Sequence, residues 1–121
     1  MPKRIEDTRT VNSDSVVGKR LSKVHKPGTM FVVFHGGKIP ITSRITVGRD
    51  ESNTIVLEDV LASRFHAMIQ KVKDDYFIED LDSTNGTFVN ARPVPPGKYV
   101  RLHPLDIILI GRTEMSLQNL R

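Results

Sequence analysis

Short apolar runs separated by turn residues fill most of this chain, and no stretch holds a helical period. Met30-Phe31-Val32-Val33-Phe34 is an apolar run of strand length stopped by Gly36-Gly37. Ile39 and Ile41 alternate with polar residues, and Pro40 confines that segment to a sheet edge. Ile45-Thr46-Val47 alternates and ends at Gly48-Arg49, and Thr54-Ile55-Val56-Leu57 reads as a brief strand. Phe65 to Gln70 predicts a further strand, Lys73-Asp74-Asp75 a turn, and Tyr76 to Glu79 the next strand. Asn85-Gly86, lying before Phe88-Val89, is a two-residue hairpin signal, because a primed turn needs positive φ and these residues tolerate it. Pro93, Pro95-Pro96 and Gly97 predict a rigid loop before a strand at Lys98 to Leu102. Ile107-Ile108-Leu109-Ile110 is the most apolar run and predicts a buried strand, and Met115 and Leu117 alternate in a last one. The expectation is an all-β, two-sheet β-sandwich of about 11 strands.

Residues 1–28 break this pattern. Ile5, Val11, Val16, Val17, Leu21 and Val24 are scattered among Thr, Ser, Asn, Asp and Lys, too sparse to offset the entropy of ordering. Pro27-Gly28 marks a boundary, so the expected organisation is a flexible tail over 1–28 and a domain over 29–121. The tail holds seven Lys and Arg against three Asp and Glu, a net of +4, whereas residues 29–121 hold eleven of each. A basic arm can serve nucleic acid. This one has neither aromatic residues for base stacking nor a dense Lys/Arg cluster, so nucleic acid is the alternative and not the leading partner.

Composition excludes several classes. The chain has no cysteine, so disulfides and thiolate metal sites are ruled out. His25, His35, His66 and His103 are far apart without ligand-spaced partners, and no metal is expected. No Gly-rich loop opens a helix, so no nucleotide cofactor is expected either. No apolar run approaches the roughly 18 residues of a membrane span, and the N-terminus is not a secretory signal. The default is a cytoplasmic protein with no membrane partner.

Three polar stretches stand out. Gly48-Arg49 closes a strand. Ser63-Arg64-Phe65-His66 enters one, but no nucleophile elbow surrounds Ser63 and no motif ties a carboxylate to His66, so no catalytic residue is expected. In an alternating strand His66 faces the opposite side from Phe65 and Ala67, and a hydrogen bond to backbone is its expected role. Asp82 to Asn90 gathers Ser83, Thr84, Asn85 and Thr87 on one loop, an inventory of hydroxyls, an amide and N–H groups suited to an anion or a peptide backbone.

In this order, Gly48-Arg49, Ser63-Arg64-x-His66 and Asp80-Leu81-x-Ser83-Thr84-Asn85-Gly86-Thr87-Phe88-Val89-Asn90 make residues 29–121 resemble the forkhead-associated (FHA) domains, β-sandwiches that bind phosphothreonine. Asn53 to Leu57 and Leu105 to Gly111 agree with that family. Leu105 and Ala91 stand where it often has Gly. The resemblance implies that Arg49, Ser63, Arg64 and Thr84 bind phosphate and Asn85 the peptide backbone. It gives Gly48, His66 and Gly86 architectural roles, and it implies an apolar slot for the threonine methyl that the sequence does not reveal. The implied function is phosphothreonine-peptide recognition in a signalling protein, with a Ser/Thr kinase writing the mark. A separate domain missing from this chain, such as a nucleotide cyclase or kinase, is expected.

The tail itself offers a ligand. Thr8 and Thr10 are candidate phosphorylation sites, and Thr8 is favoured because Val11 lies three residues on, where such domains commonly read a side chain. A flexible linker of about twenty residues spans roughly 25 Å, enough to reach its own domain or a second copy, at an effective concentration near the millimolar range.

Overall fold

The computed structural model describes residues 29–119. Among the described residues eleven strands form: β1 (Met30–Phe34), β2 (Gly37–Pro40), β3 (Arg44–Gly48), β4 (Ile55–Val56), β5 (Ala67–Val72), β6 (Asp75–Asp80), β7 (Thr87–Val89), β8 (Arg92–Pro93), β9 (Tyr99–Leu102), β10 (Ile107–Ile110) and β11 (Thr113–Asn119). They make a six-stranded sheet in the order β2-β1-β11-β10-β7-β8 and a five-stranded sheet in the order β4-β3-β5-β6-β9. Period-two burial drives this, because each strand presents alternate residues to the space between the sheets. Val32, Leu117, Ile108 and Ile110 from one sheet are fully buried, as are Val47, Ile69 and Ile78 from the other. Burying each such side chain contributes about 1.5–3 kcal/mol. Tyr76 of β6 crosses the interior and its hydroxyl accepts the Met30 N–H of β1 at 3.2 Å, linking the two sheets.

The strand register places one set of loops together. Val47 pairs with Ala67, Ala67 with Asp80, and Ile110 with both Thr87 and Thr113. The β3–β4, β4–β5, β6–β7 and β10–β11 connections therefore leave the sandwich at the same end.

Several expectations change in detail. Asn85-Gly86 does not turn a hairpin: β6 belongs to the five-stranded sheet and β7 to the six-stranded one, so Leu81 to Gly86 carries the chain between layers. Gly86 has φ +89°, but Asn85 is not in the left-handed region that a primed turn demands of both central residues. His66 lies before β5, outside its alternation, so His66 and Ala67 are both fully buried while Phe65 is half exposed. Asp75 belongs to β6 and not to the preceding turn, and Arg92–Pro93 forms a short edge strand inside the expected proline loop. Pro is tolerated there because an edge leaves its missing N–H without consequence.

The two departures from the family pattern both fall on strained backbone. Ala91 has φ +69° and Leu105 φ +74°. A side chain in the left-handed region costs roughly 1–2 kcal/mol, partly offset by the extra unfolded-state freedom of glycine. Ala91→Gly and Leu105→Gly are each expected to stabilise the domain by about 0.5 kcal/mol, raising Tm by roughly 2–4 °C. Thermal unfolding checks this; a lowered Tm in both variants would show that these turns do not hold the conformation described.

Candidate functional site

The site is built on backbone first. Beyond β3 the chain stays hydrogen-bonded to the segment that precedes β5. His66 N–H donates to the Val47 carbonyl, Arg49 N–H to that of Ser63 and Asp50 N–H to that of Arg64. The approach is close enough that a Cβ on Gly48 would lie 2.1 Å from the Arg64 carbonyl oxygen. Asn53, almost fully buried, clamps the same two loops, its Nδ2 donating to the carbonyls of Asp50 at 2.9 Å and Arg64 at 2.7 Å.

The β6–β7 loop is held by buried polar groups. Asp80 is 1% exposed, and its carboxylate accepts from the Ser83 N–H, the Ser83 hydroxyl and the Thr87 hydroxyl. Burial pushes its carboxyl up, but the hydrogen bonds from Ser83 and Thr87, with His66 nearby, hold it below the usual carboxylate range. Ser83 Oγ in turn accepts the Gly86 N–H at 2.9 Å.

His66 joins the loops. Its Nδ1 accepts the Ser63 N–H at 2.9 Å, so the ring proton sits on Nε2, which donates to the Gly86 carbonyl at 2.9 Å. The histidine is satisfied by backbone on both nitrogens and faces away from solvent. His66→Ala is expected to cost about 2 kcal/mol by leaving partly buried backbone groups unpaired, lowering Tm by roughly 10 °C. Any ligand affinity, measured well below Tm, should be little changed. An unchanged Tm with lost binding would make His66 a contact residue instead.

These tethers bring together the side chains singled out in the sequence. Arg49 Nε donates to the Ala62 carbonyl at 3.0 Å, which aims the outer guanidinium nitrogens away from the sandwich. The Ser63 hydroxyl accepts the Thr84 N–H at 3.1 Å, joining the two loops at their tips. Asn85 Nδ2 donates to the Leu61 carbonyl at 2.9 Å. Arg49, Arg64, Thr84 and Asn85 are exposed and Ser63 half-buried, and among the described residues neither arginine is in an ion pair. Arg49, Asp50, Glu51, Ser52 and Arg64 line an open depression of about 560 Å³. Asp50 is turned back on its own loop: hydrogen bonds from the Ser52 hydroxyl and N–H hold its carboxyl below the usual range. The rim therefore presents two guanidinium groups and a cluster of hydroxyl, amide and N–H donors, a chemistry for holding an anion.

Among the described residues no group of His, Cys, Asp and Glu is arranged to hold a metal ion, and no helix is long and apolar enough to cross a membrane. Thr8 and Thr10 lie outside the described residues. Two holding residues have roles that the motifs do not assign. Asp80 opens the third motif, yet its holding role shows only in its bonds to Ser83 and Thr87. Asp59 has no local signal, since its partners Arg112 and Thr113 lie more than fifty residues away.

The family model for the FHA domain matches residues 45–111. The chain is 32% identical over 84 residues to the FHA domain-containing protein FhaB of Mycobacterium tuberculosis, covering 69% of this chain and 53% of that protein. It is 34% identical over 95 residues to an ABC transporter ATP-binding/permease protein of the same organism, covering 78% of this chain and 10% of that one. This chain thus spans about half of the first relative and a tenth of the second. A solved structure of Mycobacterium tuberculosis EmbR in complex with a low-affinity phosphopeptide superposes with a TM-score of 0.72 at 28% identity, covering 81% of this chain and 26% of EmbR. The basic segment behind the nucleic-acid alternative lies in residues 1–28, outside the matched span, and that reading is not favoured.

Proposed function

The chain belongs to the FHA domain family, and from that premise we propose that it is a non-catalytic module that recognises phosphothreonine peptides in a cytoplasmic signalling protein. The observation that carries this reading is the convergence of Arg49, Arg64, Ser63, Thr84 and Asn85 on one rim, each with bonding capacity left for a ligand. Among the described residues Arg49 spends only Nε, on the Ala62 carbonyl, which leaves the four N–H bonds of its two outer nitrogens for phosphate oxygens. Ser63 accepts from Thr84 through a lone pair and keeps its own proton to donate. Asn85 uses one N–H on the Leu61 carbonyl, leaving its other N–H and its amide oxygen to pair with a peptide main chain. Phosphothreonine brings close to two negative charges and three acceptor oxygens. Arg49 and Arg64 supply the charge, Ser63 and Thr84 fix the phosphate, and Asn85 fixes the adjoining backbone.

A Ser/Thr kinase would write the mark, either on another protein or on this chain's own tail at Thr8. In this reading the module senses a phosphorylated partner, and any catalysis is lodged in another domain. Calorimetric titration with a phosphothreonine peptide, its phosphoserine counterpart and the unmodified peptide tests the reading. Saturable binding of the first alone is expected. Equal binding of the unmodified peptide would remove the phosphate from recognition.

A further inference from the structure

Asp59 sits in the β4–β5 loop, outside every motif, and yet its carboxylate is engaged on both oxygens. Oδ1 accepts the Leu61 N–H at 2.9 Å, while Oδ2 accepts the Arg112 N–H and the Thr113 hydroxyl, each at 2.8 Å. Its own carbonyl accepts the Ala62 N–H at 2.9 Å. The carboxylate thus bridges a loop of the five-stranded sheet to the β10–β11 turn of the six-stranded one. That turn is shaped to admit it: Gly111 has φ +61°, and a Cβ there would fall 2.6 Å from Asp59 Oδ2. The hydrogen bonds from Arg112, Leu61 and Thr113 hold the Asp59 carboxyl below the usual carboxylate range.

The segment so pinned carries the two carbonyls that aim the ligand-facing side chains. Leu61 offers its carbonyl to Asn85, and Ala62 offers its carbonyl to Arg49. Neither carbonyl belongs to a strand, so no sheet ladder fixes them. We propose that Asp59 is a positioning residue for phosphopeptide recognition, fixing through Leu61 and Ala62 the direction in which Asn85 and Arg49 meet the ligand. The inference rests on the phosphothreonine reading of the rim and extends the site to the β10–β11 turn.

The test compares the wild-type domain with Asp59→Asn, which loses the charge and turns an NH2 group towards at least one of three donors. At a temperature well below unfolding, Asp59→Asn is expected to raise the Kd for a phosphothreonine peptide about tenfold. In the free protein, the NMR signals of Arg49 Nε–H and the Asn85 side-chain amide should move towards solvent-exposed values. In an Asn85→Ala background the same substitution should cost only about threefold, because part of its route is already gone. Thr113→Val removes one donor without touching the loop and should raise Kd about two- to threefold, and it decides the matter if Asp59→Asn does not fold. A folded variant with wild-type Kd and unmoved side-chain signals overturns the proposal, as does an undiminished tenfold loss in the Asn85→Ala background. If the wild-type domain itself ignores the phosphopeptide, the phosphothreonine reading fails. The free-protein signals then decide the role of Asp59 alone, with unmoved signals overturning it.

Discussion

Arg49→Ala is expected to abolish phosphothreonine-peptide binding while leaving the domain folded. The guanidinium lies exposed just beyond β3, and among the described residues its hydrogen bond is the part-buried one from Nε to the Ala62 carbonyl. Removing it leaves no buried charge behind, so Tm should fall by no more than a few degrees. Binding is a different matter. Each charge-assisted hydrogen bond to the phosphate contributes about 1.5–3 kcal/mol, and a planar guanidinium can make two in parallel. The loss corresponds to a Kd raised at least about a hundredfold. Arg49→Lys should fall between, because an ammonium keeps the charge but not the fork. Calorimetry and thermal unfolding on the same preparations check this, and an Arg49→Ala protein that binds as tightly as wild type removes the arginine from the site.

Gly48→Ala has the largest expected effect on the fold. The constraint is steric and not conformational, since Gly48 is not among the residues at positive φ. A methyl group there would meet the Arg64 carbonyl oxygen at 2.1 Å and its carbon at 2.8 Å, both backbone, with Asn53 Nδ2 at 2.9 Å. Backbone cannot swing aside as a flexible side chain can. The β3–β4 and β4–β5 loops would have to separate, breaking the Arg49–Ser63 and Asp50–Arg64 backbone pairs that set the phosphate-facing residues. Overpacking of this kind costs about 3 kcal/mol, a drop in Tm of roughly 15 °C. Phosphopeptide affinity should fall with it. A Tm within about 2 °C of wild type would mean that the two loops do not approach as described.

Much of this architecture is legible in the residues because burial and strand period speak the same language. The Met115–Leu117 alternation leads directly to β11, since a strand with one face on a core must repeat every two residues. The continuous apolar run Ile107 to Ile110 locates β10 but overstates its burial, because only Ile108 and Ile110 face the core and Ile107 is exposed. The residues assigned to the rim come from a different source: the order of Gly48-Arg49, Ser63-Arg64-x-His66 and the Asp80 to Asn90 stretch carries the family resemblance, whereas taken singly a polar or cationic residue at a strand end has many uses. Asn85-Gly86 misleads because turn propensity is local, whereas the partner of β7 is decided by which sheet covers its buried face. Asp80, Ser83 and Thr87 then stretch the connection into a loop between layers. His66 escapes the alternation because its ring is pulled inward by Ser63 and Gly86. Asp59 is silent in the sequence, since what defines it is a contact with Arg112 and Thr113 across the sandwich.

The central claim is that phosphothreonine is held at the rim formed by the β3–β4, β4–β5 and β6–β7 loops. Backbone amide NMR during titration with a phosphothreonine peptide tests it most directly, residue by residue. Saturable shifts are expected to concentrate at residues 49–52, 63–65 and 83–86 and to be absent with the unphosphorylated peptide. Shifts centred instead on the outer face of the five-stranded sheet, where Gln70, Val72, Phe77 and Tyr99 line a separate hollow, would contradict the claim.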